Sequence, residues 1–163
     1  MEEQKDPAIE LTRLDPRQRM VIRIYALISG LVPFLALCGG DLAANSLLGW
    51  PYAYLTGLGV LLYTISVIVL PGRRWRRWGY HMGSDAIRIA SGWVVRRETI
   101  VPFARVQHID VSRGPIERAF GVATLTLHTA GSYNSTVALP GLAFEDAGSI
   151  REEIRTHIRQ DLP

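Results

Sequence analysis

The chain has 163 residues, and its mean hydropathy is +0.12 although 20% of its residues are charged. The long apolar runs lie between Met20 and Leu70, so this balance fits a membrane segment joined to one small domain. The net charge is only +3, and the basic residues do not form a concentrated stripe, which argues against general nucleic-acid binding. Cys38 is the only cysteine, which excludes an intramolecular disulfide and a zinc site built from cysteines.

The first part of the chain is a polar stretch followed by two apolar segments. Residues 1–20 are mixed in charge, and we interpret them as a cytoplasmic lead-in with room for one helical turn near Ile9 to Leu14. The apolar segments lie at about 21–40 and 51–70, each close to the roughly 20 residues that one helix needs to cross the hydrocarbon core. Pro33 in the first segment is tolerated better in a membrane helix than in a soluble one. Residues 21–72 therefore predict a transmembrane helical hairpin.

Aromatic and basic residues flank the hairpin in the pattern of a membrane edge. Aromatic side chains settle at the headgroup level, and here they bracket the second segment at Trp50, Tyr52, Tyr54, Trp75 and Trp78. Arginines lie outside the hairpin on both sides, whereas the connection between the segments has one acid, Asp41, and no base. Because positively charged flanks stay inside, we expect both termini in the cytoplasm. Two buried helices of a soluble protein are disfavoured, since no later segment is long enough to wrap them.

From Trp78 onward the apolar pattern changes to the two-residue period of β-strands. Ile87 and Ile89 alternate with polar neighbours in one strand, and Leu125 and Leu127 do so in the clearest one. The pattern predicts five strands, at about 86–90, 93–101, 105–111, 122–129 and 134–139. Short strands at this spacing favour a small antiparallel barrel or sandwich.

The last segment changes to the period of an α-helix. Phe144, Ala147, Ile150, Ile154 and Ile158 recur three and four residues apart, which predicts one apolar stripe. A lone amphipathic helix after a series of strands has to bury its stripe, so we expect it to pack over an open end or corner of the barrel.

Several motifs resemble one known family. They are Pro102–Val111, Arg113–Gly121 with the following Ala-Thr-Leu, and Pro140-Gly141-Leu142 before the last helix. Together with Leu14-Asp15-Pro16 before a two-helix hairpin, they resemble the bacterial pleckstrin-homology (PH) domain of YdbS-like membrane proteins. The resemblance implies an α+β membrane protein of the bacterial inner membrane. Its transmembrane hairpin, 21–72, is followed at 73–163 by a cytoplasmic PH-like antiparallel β-barrel of about seven strands, capped by a C-terminal helix. It also implies no catalytic activity and no cofactor.

The sequence departs from phosphoinositide-binding PH domains at one loop. Eukaryotic domains that hold phosphoinositides use basic residues around the first hairpin loop. The corresponding loop here resembles Gly83-Ser84-Asp85, which has one acid and no base. A phosphate bound there would lack its counter-charge, so the resemblance does not predict phosphoinositide binding.

The histidines have no spacing typical of a metal site. His108 and Asp110 lie two residues apart and share a strand face, and a structural hydrogen bond is favoured over catalysis because no nucleophile accompanies them. His128 falls on the outward face of its strand and is expected to be solvated. We therefore predict no catalytic, cofactor-binding or metal-ligating residue.

Arginines are the candidate contacts for lipid headgroups or for a protein partner. A base near an anionic leaflet contributes on the order of 1 kcal/mol of attraction. Arg105 and Arg118 are instead expected to form internal ion pairs with Asp110 and Glu117, or to cap loops. The six candidates that remain lie after the hairpin and in the second strand: Arg73, Arg74, Arg76, Arg77, Arg96 and Arg97.

Three functions remain open at this level. The first is a membrane-anchored interaction module that serves as an accessory subunit beside a larger protein of the same family, or as a homo-oligomer. The second is a module that senses anionic lipid at the cytoplasmic leaflet. The third is a small transport or channel subunit, for which Asp41 near the outer interface is a weak signal because pathways place ionisable groups within the span. We favour the first.

Overall fold

A computed structural model describes residues 11–51, 53–92, 95–130 and 136–160, with the side chains of the last range described as far as 158. The chain divides into two compact units. One is helical and comprises Arg19–Arg74, and the other is mixed and comprises Met1–Gln18 together with Trp75–Pro163.

The helical unit contains two long apolar helices. Helix α1 covers Gln18–Leu48. The second helix runs over Tyr54–Arg76 and consists of α2 (Tyr54–Thr64), a π-helical turn (Ile65–Val69) and α3 (Leu70–Arg76). With 31 and 23 residues, they are about 46 Å and 35 Å long at 1.5 Å per residue, so each exceeds a hydrocarbon core of about 30 Å.

Helix α1 is longer than the sequence predicts. The glycines at 39 and 40 suggested an end to the first segment, but the helix continues to Leu48. Each glycine inside a helix costs roughly 1 kcal/mol of helix stability relative to alanine. In hydrocarbon a helix continues through glycine nevertheless, because a backbone N–H or C=O group without a hydrogen-bond partner costs more than that. The connection is therefore short, and Asp41 lies within the helix, where its carboxylate accepts hydrogen bonds from the Ala53 N–H and the Thr56 hydroxyl, both at 2.8 Å.

Small and aromatic residues hold the two helices together. The ring of Phe34 stacks on Tyr63 with 5.4 Å between centroids, and the Tyr63 hydroxyl donates to the Leu27 carbonyl at 3.2 Å. Gly59 is buried, and a β-carbon there would lie 3.3 Å from side-chain atoms of Phe34 and Leu37. Many large apolar side chains remain exposed, Val32 by 72% for example, which fits a lipid-facing surface.

The described strands form two antiparallel sheets. β1 (Thr12–Arg13), β2 (Gly79–Met82), β3 (Ala86–Ser91) and β4 (Arg97–Pro102) follow one another in the first sheet. β5 (Val106–Ser112), β6 (Val122–Thr129) and β7 (Thr136–Ala143) form the second. Within the described part of the chain no hydrogen-bonded ladder joins the sheets, so they do not close into the predicted barrel. The antiparallel strands followed by a C-terminal helix agree with the prediction. The chain leaves the first sheet at a 3₁₀ turn, Phe103–Arg105.

The core of the mixed unit lies where the sequence pattern places it. Ile87, Ile89, Leu125 and Leu127 are all buried, which confirms the predicted alternation. The C-terminal helix α5 (Phe144–Gln160) follows the short helix α4 (Pro115–Ala119) and β6 and β7 along the chain. It buries Ala147, Ile150 and Ile154, as its apolar stripe predicts. Phe144 differs, because 49% of it is exposed and the Arg113 guanidinium lies 4.0 Å from its ring centroid.

Other local features differ from the prediction. Thr12–Arg13 is a strand that pairs with Gly79 and Tyr80, so the helical turn expected near Ile9 to Leu14 is wrong for Leu11–Leu14, and Ile9 and Glu10 lie outside the described residues. Strand β2 was not predicted, because Gly79–Met82 shows no clear alternation. The second strand was predicted over 93–101, but β4 begins only at Arg97, and Val95 and Arg96 lie before it. Residues 93 and 94 lie outside the described residues, as do Tyr52, Asn134 and Ser135.

The segment before α1 packs against the rest of the mixed unit through buried contacts. Leu14 is 3% exposed, and the Asp15 N–H donates to the Gly141 carbonyl at 2.8 Å. The indole N–H of Trp75 donates to the Asp15 carbonyl at 3.0 Å. Trp75 is only 6% exposed, so it packs inside this unit and does not extend into the headgroup region as the aromatic pattern suggested.

Candidate functional site

Four arginines line one pocket on the mixed unit, which we call the arginine pocket. It has a volume of about 380 Å³ and no acidic residue in its lining. Its walls are Leu11, Arg13, Arg76, Arg77, Trp78, Gly79, Ala90 and Arg96. The pocket therefore includes three of the six predicted arginines, Arg76, Arg77 and Arg96, and adds Arg13 from the lead-in.

Strand register explains why a depression forms at this point. Arg13 pairs with Gly79, Gly79 with Ala90, and Ala90 with Glu98, so one row crosses all four strands of the sheet. Paired residues project to the same face, and the two central positions carry only a hydrogen atom and a methyl group. Leu11 lies over the glycine, where a β-carbon would come within 3.0 Å of the Leu11 β-carbon. Small residues thus form the floor and long arginines the rim.

The electrostatics of the arginine pocket are dominated by positive charge. Arg13, Arg76 and Arg96 are exposed, and within the described residues none of the three has an ion-pair partner. Arg77 has an interaction partner of its own. Glu98 is the acid at the far end of the row and is not part of the lining. Guanidinium groups arranged in this way can bind a phosphate or carboxylate through paired hydrogen bonds.

The other three predicted arginines lie outside the pocket. Arg73 and Arg74 belong to α3, within the helical unit, and both are exposed. Arg97 pairs with Ser91, one position from the Ala90–Glu98 pair, so its side chain projects to the opposite face of the sheet. Their role as headgroup or partner contacts stays a prediction.

A second cavity, the β5–α5 groove, lies between strand β5 and helix α5. Its volume is also about 380 Å³, and its lining consists of Val106, Gln107, His108, Ile109, Arg151, Arg155 and Ile158. Because successive strand residues point to opposite faces, a cavity that contacts four consecutive residues lies along the edge of the strand. β5 is an edge strand, and its described ladder is with β6 alone. The helical wall is one face of α5, because Arg151, Arg155 and Ile158 follow one another at spacings of four and three residues.

The structure also brings two histidines and an aspartate together. His108 and His128 are cross-strand partners with ring centroids 5.7 Å apart. The Asp110 carboxylate lies between them, with one oxygen 2.8 Å from His108 Nε2 and the other 3.1 Å from His128 Nε2. The predicted contact of His108 with Asp110 is confirmed, whereas His128 is bonded rather than simply solvated. Among the described residues, no group of three or more potential ligands is arranged to hold a metal ion.

The expected ion pairs of Arg105 and Arg118 do not form. The Asp110 carboxylate is bonded to histidines, as above. The two oxygens of Glu117 accept from the Gly114 N–H at 2.7 Å and from the Thr124 hydroxyl at 3.0 Å. Glu117 thus caps the start of α4, and both arginines are exposed instead. Glu117 was assigned to Arg118 because the two are neighbours in sequence, but its carboxylate caps the helix instead.

Tyr80 on β2 is perturbed by its surroundings. Burial, followed by the negative charges of Asp146 and Glu153, raises the pKa of the Tyr80 phenol above its usual value. Its phenol therefore stays neutral to a higher pH than in the unfolded chain.

Sequence reasoning missed Arg13, Leu11 and the pairing of the two histidines. Arg13 was assigned to a lead-in, although Leu11 and Leu14 on either side of it, apolar residues three apart in a polar stretch, were a signal that this segment packs on the domain. His108 and His128 are 20 residues apart, and only the register of β5 with β6 places them side by side.

Comparison with known proteins identifies the family. The family model described as "Bacterial PH domain" matches residues 27–158, and the chain therefore belongs to the bacterial PH-domain family, as its motifs predicted. The chain is similar to the transmembrane protein YdbS of Bacillus subtilis, with 34% identity over 108 residues, 64% of this chain and 66% of YdbS. It is also similar to the transmembrane protein YdbT of the same organism, with 28% identity over 99 residues, 60% of this chain and 20% of YdbT. No solved structure matches the chain significantly.

The comparisons and the helices together define the class of the protein. The alignments span just under two thirds of YdbS and one fifth of YdbT. Both relatives are named as transmembrane proteins, and this chain has two helices that are long and apolar enough to cross a bilayer. It is a membrane protein that carries a domain of the bacterial PH family.

Proposed function

We propose that the protein is a non-enzymatic, membrane-anchored PH-like module that acts as an accessory subunit of an inner-membrane assembly. Its partner in this proposal is a larger protein of the same family. The apolar hairpin spans the inner membrane, both termini are cytoplasmic, and the mixed unit lies in the cytoplasm. The observation that carries the proposal is the β5–α5 groove, where an open strand edge lies beside a helix.

An open strand edge is a binding surface for an extended peptide. Its unpaired N–H and C=O groups can form a further antiparallel ladder with another chain. β5 has seven residues, about 23 Å of strand at 3.3 Å per residue. Val106, Ile109 and Ile158 supply an apolar floor, which could accept alternate side chains of an added strand. The edge therefore provides both backbone pairing and side-chain pockets.

The charges of the groove limit the type of partner. Arg151 and Arg155 line the helical wall and share one acid, since Glu152 lies 3.2 Å from the first and 3.4 Å from the second. One positive charge remains in excess, so an extended segment with acidic and apolar residues in alternation fits best. The similarity to YdbT supports a large family member as the source, because the 99 aligned residues form only 20% of that protein.

Co-purification of the two full-length proteins tests the proposal. The chain is co-expressed with a larger bacterial PH-domain membrane protein of the same genome, extracted in mild detergent and isolated through a tag on either one. We expect a stable complex, and we expect the double variant Arg151→Glu/Arg155→Glu to weaken its affinity by about tenfold. Both substitutions replace a positive charge by a negative one, which repels an acidic segment. Arg118→Glu is the matched control, because it reverses an exposed arginine outside the groove. A complex that tolerates the double variant, or the absence of any complex, contradicts the proposal.

The anionic-lipid alternative rests on the arginines near the end of the second helix. Arg73 and Arg74 lie within two turns of Leu70 along α3, where a polybasic segment would meet an anionic leaflet. This function needs no protein partner. Removal of anionic lipid from reconstituted membranes would alter the behaviour of the protein under this alternative but not under the accessory-subunit proposal.

A further inference from the structure

We infer that the arginine pocket is a phosphate-binding site whose ligand carries an apolar part, as the phosphate of an anionic phospholipid does. The inference goes beyond the accessory-subunit proposal and does not need a protein partner. It also gives the lipid alternative a specific site and a specific chemical group.

The residues of the pocket match the chemistry of a phosphate group. Arg13, Arg76 and Arg96 come from three different segments, namely β1, the end of α3 and the stretch before β4. Each guanidinium offers a fork of N–H donors that fits two phosphate oxygens. Because these three arginines have no ion-pair partner among the described residues, their positive charge is available to a ligand. No acid in the lining opposes the binding of an anion.

The remaining walls indicate that the ligand is more than an inorganic ion. Trp78 and Leu11 are only partly exposed and give the pocket an apolar side. A volume of about 380 Å³ is within the range of small-molecule sites, about 300–1,000 Å³, and exceeds what phosphate alone requires. An indole ring beside guanidinium groups favours a molecule that has both an anionic and an apolar part.

The position of the pocket along the chain favours a lipid over an acidic peptide. Arg76 is the last residue of the apolar helix and follows Leu70 by six positions, about 9 Å of helix at 1.5 Å per residue. The headgroup region extends roughly 5–7 Å beyond the hydrocarbon core on each side. With Leu70 at the edge of the hydrocarbon, the backbone of Arg76 lies about 2–4 Å beyond the headgroup region. The long arginine side chain covers this distance by reaching back toward the lipid phosphates.

This site is separate from the loop that carries phosphoinositides in other PH domains. The β2–β3 loop, Gly83–Asp85, closes the other end of the hairpin and is held by the Gly83 N–H, which donates to the Ala86 carbonyl at 2.9 Å. The pocket instead uses the first residue of β2, Gly79, and the stretch that follows β3.

Binding to the full chain in neutral detergent tests the inference. The probes are dihexanoyl phosphatidic acid, inorganic phosphate, and an acidic peptide that has carboxylates but no phosphate. Isothermal titration calorimetry gives the dissociation constants. We expect saturable binding of the short-chain phosphatidic acid, and about tenfold or greater weakening in Arg13→Ala/Arg96→Ala because two charge-assisted contacts are lost. Arg13→Lys/Arg96→Lys keeps both positive charges but lacks the forked N–H donors of guanidinium, and this variant should bind the phosphatidic acid with intermediate affinity.

Matched controls separate the pocket from a general charge effect. Arg105→Ala/Arg118→Ala removes two exposed arginines outside the pocket, and should change the dissociation constant less than twofold. Equal weakening in both double variants would overturn the inference, as would equal affinity for the acidic peptide or the absence of binding to the wild-type chain. Tighter binding of phosphatidic acid than of inorganic phosphate supports a lipid ligand, whereas equal affinities would overturn the inference that the ligand carries an apolar part. Circular dichroism confirms that each variant is folded, and the complex with a larger family protein should survive loss of the pocket.

Discussion

Replacement of Gly141 by alanine should destabilise the mixed unit through a contact with the segment before α1. Gly141 has a φ of +76°, a conformation that disfavours side chains. A β-carbon there would lie 2.5 Å from Gln18 Cγ and 2.8 Å from Gln18 Cβ. Gln18 is itself buried and only 6% exposed, so it has little room to move. The Gly141 carbonyl also accepts a hydrogen bond from the Asp15 N–H. A displacement of β7 at Gly141 would therefore disturb β1 and Arg13.

The expected magnitude has two parts. A left-handed conformation costs a residue with a side chain roughly 1–2 kcal/mol, and forced overpacking costs about 1–3 kcal/mol. We therefore expect Gly141→Ala to lower the free energy of unfolding by about 2–5 kcal/mol. Gly121→Ala is the matched control, because Gly121 has a φ of +70° but its β-carbon would meet only the Arg17 Nη1 at 3.1 Å, the far end of a flexible and exposed side chain. That variant should show the strain alone, about 1–2 kcal/mol.

A double-mutant cycle isolates the contact. Denaturant unfolding of the full chain in mild detergent is measured for Gly141→Ala, Gln18→Ala and the two combined. Because Gln18→Ala removes the clashing Cγ and Cδ but keeps Cβ, the combined variant should recover only part of the loss, about 1 kcal/mol. If Gly141→Ala is no worse than Gly121→Ala, or if Gln18→Ala recovers nothing, the two side chains do not meet as described.

Further substitutions test other parts of the structure. Ala53 has a φ of +85°, so Ala53→Gly should stabilise the hairpin by about 1 kcal/mol in a detergent unfolding assay, and a destabilised variant would contradict the assigned backbone. Ile154 is fully buried, and Ile154→Ala should cost about 2–5 kcal/mol in the same assay, whereas exposed Ile100→Ala should cost less than half as much. The folded-state pKa of Tyr80 is raised, so the unfolded chain releases the phenol proton first, and stability should fall as pH rises above about 10. Tyr80→Phe should flatten this pH dependence, and an unchanged slope would refute the assignment.

The local patterns were sufficient for most of the elements. Leu125 and Leu127 alternate with threonines, and alternation of this kind requires a strand with one buried face, wherever its partners lie. The stripe of Ala147, Ile150 and Ile154 likewise requires a helix with one buried face. The motifs from Pro102 to Gly121 were specific enough to identify the family.

The sequence by itself determined where apolar and polar residues separate, because the periods of strands and helices are local properties of the chain. Only the tertiary structure decided which distant residues meet. Arg13 joins Arg76 and Arg96 because β1 pairs with β2, and His108 meets His128 through the register of β5 with β6. The division into two open sheets was decided in the same way. Pairing partners are chosen by long-range packing and hydrogen bonding, which no local period encodes.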